Sequence, residues 1–456
     1  MSHETLPSVH RIQASYYAAV FLRWFGIALP MALMVLLMQA RGMSLLQIGM
    51  IMGLHAAVIV VLEIPTGGLA DAIGRKPTAL LSQAVTLAST VAFLFAFSFA
   101  LFALAAALLG AGRALSSGAL DAWFVDALLA RDPTTDLQAP LAHAGSLEIA
   151  GLALGTLAGS AIPAVWGAGL PADGAAVLTP LALPFLASFA VQLLGLAVVA
   201  LFIREDRSDA ARGAAPGEST VEPTAEPIAA APTGLRAVGP IVASALRAAR
   251  DDRIVTLVMI ATAATGLSVA ALETFWQPRF AALLGGGAGG GAAAGADSPL
   301  TFGALMAGAF AVGVVGNLAS IPLARRLGRR YALVAAAGQL LGGTALVVLA
   351  WRSGLPTAVG LFWLAYFANA LTGSPIATIL NEQVPSERRS STLSVVSLAG
   401  YLGAFAGSAG FGALAQHAGI PVVWTVAGAI LAGSAGLYLA IDRLRRASAS
   451  RAPARA

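Results

Sequence analysis

The chain has 456 residues, of which 58% are hydrophobic and 11% charged, and its mean hydropathy is +0.81. A soluble chain carries about 25% charged residues, and a folded surface cannot hide so large an apolar share. The balance excludes a soluble enzyme, a nucleic-acid-binding domain and a disordered protein, and it implies a polytopic membrane protein. There is no cysteine, which removes disulfides, iron–sulfur clusters, thiolate zinc sites and cysteine nucleophiles. The five histidines share no metal-ligand spacing, so no metal and no other cofactor is expected.

A membrane-crossing helix needs about 20 mostly apolar residues. Twelve stretches meet that need in chain order: 14–40, 45–66, 78–98, 101–124, 141–165 and 176–203, then 254–276, 301–323, 331–351, 357–380, 393–415 and 422–441. The first is too long for a signal peptide and lacks a small-residue cleavage site, so it is expected to stay. The spans predict an N-terminal tail over 1–13, a six-helix bundle over 14–203, a linker over 204–253, a second bundle over 254–441 and a tail over 442–456. The linker is rich in glutamate and proline, with a short amphipathic helix expected over 241–250. Residues 284–299 form a Gly/Ala-rich loop on the other side.

Basic residues set the orientation. With the N-terminus inside, only Arg41, Arg279 and Arg352 lie outside, Arg23 and Arg113 lie within spans, and the other 22 of the 27 are inside. Both termini and the linker are therefore expected in the cytoplasm. The net charge of +5 follows from loop arginine and needs no nucleic acid.

The halves share a local pattern. Residues 67–76 read GGLADAIGRK and residues 321–330 read IPLARRLGRR, so Leu69, Ala70, Gly74 and Arg75 recur as Leu323, Ala324, Gly328 and Arg329. Both copies join the second and third spans of their half, which points to an internal repeat. The expected fold is an all-α membrane protein of twelve transmembrane helices in two pseudo-symmetric six-helix bundles.

Residues 63–76, EIPTGGLADAIGRK, strongly resemble the signature loop of the major facilitator superfamily, G-x-L-A-D-x-x-G-R-K. Residues 381–394, NEQVPSERRSSTLS, resemble its loop between spans ten and eleven. The prefix E-I-P-T-G and residues 273–278, ETFWQP, resemble bacterial drug-export-like members. Span five departs from the antiporter pattern: Gly151, Gly155 and Gly159 keep small-residue spacing, but Pro163 is displaced. Span four carries Arg113 without the glutamine and glycine spacing usual there. The resemblance implies that Gly67, Asp71, Gly74, Arg75 and Lys76 form a conformational latch, with Arg75 paired to Asp126. The plainer reading of Arg75 and Lys76 is cytoplasmic anchoring. The resemblance also implies a central cavity lined by spans one, four, seven and ten.

Ionisable residues inside spans are costly and point to function. Arg23 on span one, Arg113 and Asp121 on span four, Glu148 on span five and Glu273 on span seven are candidates for a proton or substrate pathway. The alternative for the arginines is a structural ion pair with Asp121 or Glu148. Arg113 and Asp121 are eight apart, which on one unbroken helix places them on roughly one face. Asp121 and Glu148 are the preferred proton carriers. Glu273, near the outer end of its span, with Phe275, Trp276 and Gln277 can hold a lipophilic cation or belong to an interfacial belt. Trp363, Tyr366 and Asn369 form a stripe on span ten that suits packing or ligand contact.

The function these features predict is secondary active transport by alternating access, namely proton-coupled efflux of amphipathic compounds. Its alternative is uptake of a metabolite by symport or facilitation. A membrane-embedded sensor or enzyme is the remote alternative, and no ATP-binding loop, H-E-x-x-H or serine elbow supports it. The expected partners are a small-molecule substrate, protons and membrane lipid. The expected state is a monomer, multi-pass in a bacterial cytoplasmic membrane.

Overall fold

A computed structural model describes residues 8–67, 69–116, 118–171, 174–205, 252–285, 299–384 and 386–451, without the side chains of 64–65, 67, 71–72, 386–391 and 448–451. Most of the linker, with the helix expected over 241–250, and most of the Gly/Ala-rich loop lie outside these residues. Every regular element among the described residues is a helix.

In the first half, α1 (Val9–Ala28) and α2 (Met34–Ala40) make one crossing, and α3 (Leu45–Gly67) makes the second. The short α4 (Leu69–Ile73) leads into α5 (Arg75–Leu94). The fourth crossing is α6 (Phe99–Leu115) plus α7 (Ala119–Leu129), followed by α8 (Gln138–Trp166) and α9 (Leu183–Phe202). The second half contains α10 (Arg253–Leu284), α11 (Pro299–Arg326), α12 (Tyr331–Trp351), α13 (Leu355–Gln383), α14 (Ser386–Ala418) and α15 (Ile420–Arg451).

Among the described residues, eleven segments are long and apolar enough to cross a membrane. The first crossing differs because it is two helices. Pro30 has no N–H to give the Gly26 carbonyl, and its ring crowds the preceding turn. The Ser188 hydroxyl on α9 donates to that carbonyl instead, at 2.6 Å. The break at 29–33 therefore keeps its backbone groups satisfied at membrane depth, as a lipid-embedded chain requires.

The helices also exceed the apolar stretches. Ser8 caps α1, accepting from the Arg11 N–H at 3.4 Å, so the helix begins inside the expected tail. At the other terminus α15 runs on to Arg451 instead of stopping at 441. Its charged end is held by Arg330, which donates to Asp442 at 2.6 and 3.1 Å, and by the pair of Arg445 with Glu382.

The start of α1, the end of α15, α4, α7 and the start of α10 share one end of the bundle, called here the terminus end. At the opposite, far end, a single apolar cluster joins both halves, including Leu36, Phe93 and Phe185 from the first and Trp276, Phe302 and Trp424 from the second. At the terminus end each half keeps its own cluster, around Tyr16, Phe124 and Val199 in one and Val258, Ile379 and Tyr438 in the other. The halves meet mainly along α3 with α14 and α8 with α11.

Glycine sets the first of these contacts. A Cβ on Gly49 would lie 2.5 Å from the Ser408 carbonyl oxygen and 2.7 Å from Gly412 Cα. Small residues there let two backbones approach closely. Gly151, Gly155 and Gly159 do the same inside the first half, against α1.

Candidate functional site

Between the halves lies a cavity of about 390 Å³, within the range of roughly 300–1,000 Å³ typical of small-molecule sites. Its wall draws on α1, α2, α3, α5, α6 and α9 from one half and on α10, α11 and α14 from the other. Most of it is apolar, with Met31, Met34, Met52, Phe93 and Phe185 prominent. Arg23, Arg113, His55 and Gln192 bring polarity on the first-half side, and Glu273 and Tyr401 on the second. Arg113, in the last turn of α6, and Glu273, inside α10, are both exposed, so solvent reaches the cavity.

Arg23 and Arg113 approach one another across Trp24. Their guanidinium carbons lie 5.5 and 5.7 Å from its ring centroid. Neither guanidinium makes a hydrogen bond or ion pair among the described residues, so the alternative of a structural pair with Asp121 or Glu148 is not formed here. Asp121 and Glu148 lie within electrostatic reach of Arg23, and Glu63 and Glu148 within reach of Arg113. These three carboxylates stand outside the cavity wall. Asp121 instead accepts from the Tyr16 hydroxyl at 2.6 Å.

The single-helix argument for Arg113 and Asp121 fails for a local reason. Gly118 adopts φ +79°, a left-handed backbone that glycine takes without strain, and it separates α6 from α7. Asp121 then lies in the first turn of a new helix, whose Leu120, Trp123 and Phe124 belong to the first-half apolar cluster.

Glu273 is also placed differently from expectation. Pro278 does not end the helix; α10 continues to Leu284, so Glu273 lies within it and faces the cavity. Phe275 is fully buried, and Trp276 packs its ring on Phe280, Phe302 and Phe362. These aromatics build the far-end seal. Gln277 completes it: its Oε1 accepts from the N–H groups of Val35 and Leu36 at 2.8 and 3.3 Å, and its Nε2 donates to the Met31 carbonyl at 2.9 Å. The broken first crossing thus finds partners in both halves.

The stripe on α13 does not reach the cavity wall. Trp363 donates its indole N–H to the Leu305 carbonyl at 2.9 Å and fills the space that Gly308 leaves on α11. Tyr366 turns its hydroxyl to Met306, and Asn369 borders a separate small void with Ser268 and Leu272. Packing against α10 and α11 takes this face, so span ten contributes less to the wall than the resemblance implied.

At the terminus end Arg75 and Asp126 form an ion pair. Gly74 turns with φ +96°, and Lys76 Nζ donates to the Ala200 carbonyl at 2.8 Å. The side chains of Gly67 and Asp71 lie outside the described residues. A residue that carried no sequence signal completes this corner: Glu205 accepts from the backbone N–H groups of Arg75 and Lys76 at 2.7 and 2.9 Å. A carboxylate there satisfies donors that no helix can satisfy itself and complements the helix dipole.

Two further groups escaped the sequence reading. Arg41 is 7% exposed and donates to four carbonyls, those of Phe93, Leu94, Ala96 and Val177, at 2.9–3.1 Å, tying the far-end loops together. Burial pushes its guanidinium down to about 10, so it stays charged at neutral pH. Gln192 donates to Ser188 and Thr90 at 2.7 and 2.8 Å, bracing the helices beside the Pro30 break. A glutamine within an apolar span was the available signal for it.

A family model described as the Major Facilitator Superfamily matches residues 16–296 and 296–456. Among solved structures, the nucleoside transporter NupG aligns with a TM-score of 0.71 at 10% identity, covering 94% of this chain and 98% of that one. A bacterial homolog to the human lysosomal transporter Spinster, in an inward-facing and unoccupied conformation, aligns at 0.70 and 15% identity, covering 96% and 98%. At these identities the likeness is one of fold. No curated protein matches the chain by sequence. With the family model spanning nearly the whole chain over a twelve-crossing, two-half helical fold, this multi-pass membrane protein belongs to the major facilitator superfamily of transporters.

Proposed function

We propose that the chain is a proton-coupled secondary transporter that exports small amphipathic organic molecules by alternating access, as a monomer in a bacterial cytoplasmic membrane. The observation that carries the reading is a solvent-reached cavity between two halves that share one apolar seal at the far end and keep separate cores at the terminus end. The distribution of arginine and lysine supports placing the terminus end in the cytoplasm, which makes this conformation inward-facing. Rocking the halves about the cavity would open the far end and join the terminus end.

Apolar walls with a few charges suit an amphipathic substrate. Asp121, Glu148 and Glu63 are the proton-carrying candidates, because each carboxylate lies near an arginine without pairing to it. Gly67, Asp71, Gly74, Arg75, Lys76 and Asp126 are the latch candidates. Uptake of a metabolite by proton symport is the second reading, favoured by the polar ring of Arg23, Arg113, Gln192 and Glu273 at mid-depth.

Reconstitution into vesicles with an imposed pH gradient tests coupling and direction together. Antiport moves substrate against the proton flow and symport moves it along. Transport that ignores the gradient would remove proton coupling from the proposal.

A further inference from the structure

The cavity holds an asymmetry that substrate transport alone does not explain. Two arginines sit side by side on the first-half wall, and one carboxylate, Glu273, stands on the opposite wall. A guanidinium in a membrane-spanning segment is costly unless a partner serves it. The guanidinium groups of Arg23 and Arg113 have no hydrogen-bond or ion-pair partner among the described residues, and both lean on the Trp24 ring. Neighbouring carboxylates lower the cost of these charges without occupying the donors. Ten N–H donors in two planar forks therefore remain available to a ligand.

We propose that Arg23 and Arg113 clamp the anionic group of the substrate, which is an organic monoanion such as a carboxylate or sulfonate with an apolar body. The inference rests on the reading of the cavity as the substrate site and narrows it to a chemical class. Paired guanidinium groups match carboxylate geometry bidentately, which a lysine cannot do. The volume of about 390 Å³ is far more than an inorganic anion fills, and the methionines and Phe93 offer the apolar body a wall. Glu273 repels a second anionic group, which limits the substrate to one, and it accepts from a hydroxyl or amine at the far side of the ligand.

The absence of native cysteine allows a direct test. Ile27 lines the cavity one helical turn beyond Arg23, and Ile27→Cys places a thiol there. Its modification rates with the sulfonatoethyl and trimethylammonioethyl thiosulfonates are compared on purified protein, with Ser353→Cys on an exposed loop as reference. Focusing by a charged cleft should favour the anionic reagent by on the order of tenfold over the reference ratio. Arg23→Gln with Arg113→Gln should return the ratio to the reference. If that double variant does not fold, Glu273→Gln serves instead and should raise the ratio further. Millimolar 4-phenylbutyrate should slow the thiol reaction, whereas 4-phenylbutyramide and 4-phenylbutylamine should not.

A ratio equal to the reference with both arginines present overturns the clamp while leaving the transport reading intact, since both reagents then enter the cavity. Equal protection by acid, amide and amine overturns it as well. If neither reagent reaches the thiol, the cavity is closed to solvent, and the inward-facing reading falls together with the clamp.

Discussion

The two ends of the molecule are held by different physics. At the far end one apolar cluster runs through both halves, reinforced by glycine-mediated backbone contacts and by Gln277 on the broken first crossing. At the terminus end the polar ties among the described residues stay within a half: Glu205 on the start of α5, Arg75 with Asp126, Arg330 with Asp442, and Arg445 with Glu382. A transporter must open and close each end in turn. Ties inside a half survive that motion, whereas ties between halves have to be made and broken. The far end therefore carries the energy of this conformation, and the terminus end carries the integrity of the bundles.

The largest test of this division is Gly49→Val. The new side chain meets backbone of α14 on arrival, and backbone cannot move aside as a side chain can. Overpacking of this kind costs about 3 kcal/mol, over a hundredfold in population at about 1.4 kcal/mol per tenfold. The far end should open. A thiol at Ile51→Cys, fully buried in the seal, should become reactive, and one at Ile27→Cys should slow. Unchanged reactivity at position 51 would show that the seal does not set the state.

Gln277→Leu should act in the same direction with a smaller effect. It leaves the Val35 and Leu36 N–H groups and the Met31 carbonyl without their side-chain partner in a buried place. Losing such partners costs about 1–3 kcal/mol. The same two thiols report it, and a change in melting temperature without a change in labelling would make Gln277 a local brace instead of a seal.

How much of this was legible beforehand follows from the physics of each group. Apolar length exposed the crossings and the two halves, because the bilayer imposes those features on composition itself, and the signature loop was readable from its resemblance to the family motif. The Arg75–Asp126 partnership was likewise readable, from the resemblance. The breaks at Pro30 and Gly118 were not weighed, although a proline and a Ser-Ser-Gly run inside two spans were visible, and the helical-wheel relation of Arg113 to Asp121 fell with them. Glu205 and Asp442 were hidden because each acts on a residue far along the chain, and an acid just past a span looks like any interfacial charge. Gln277 was noticed but its bonds to Met31, Val35 and Leu36 were not, since those residues lie in the other half.

Asp442→Ala probes the terminus end. The Asp442 side chain is 7% exposed and takes Arg330 through two bonds and Arg446 through one contact at 3.1 Å. Removing a carboxylate that receives charged hydrogen bonds costs about 1.5–3 kcal/mol. The expected result is a lower melting temperature with thiol labelling at positions 27 and 51 unchanged. A shift in labelling would mean that this tie also favours one state, and the division between the ends would fail.

Asp126→Asn should give the smallest effect and the sharpest contrast. Its partner Arg75 is 27% exposed and Asp126 itself 63%, so water screens the pair. Exposed pairs contribute about 0–1 kcal/mol. The start of α5 also keeps both backbone bonds from Glu205, which hold it in place without the ion pair. The melting temperature should therefore move little in Asp126→Asn and more in Glu205→Ala, since losing a helix cap costs about 0.5–2 kcal/mol. Because Arg75 takes part in both contacts, the double variant tests whether they are coupled. Additive losses would mean that two independent ties hold this corner. A loss well beyond the sum would mean that each contact covers for the other, and that the loop depends on having at least one of them.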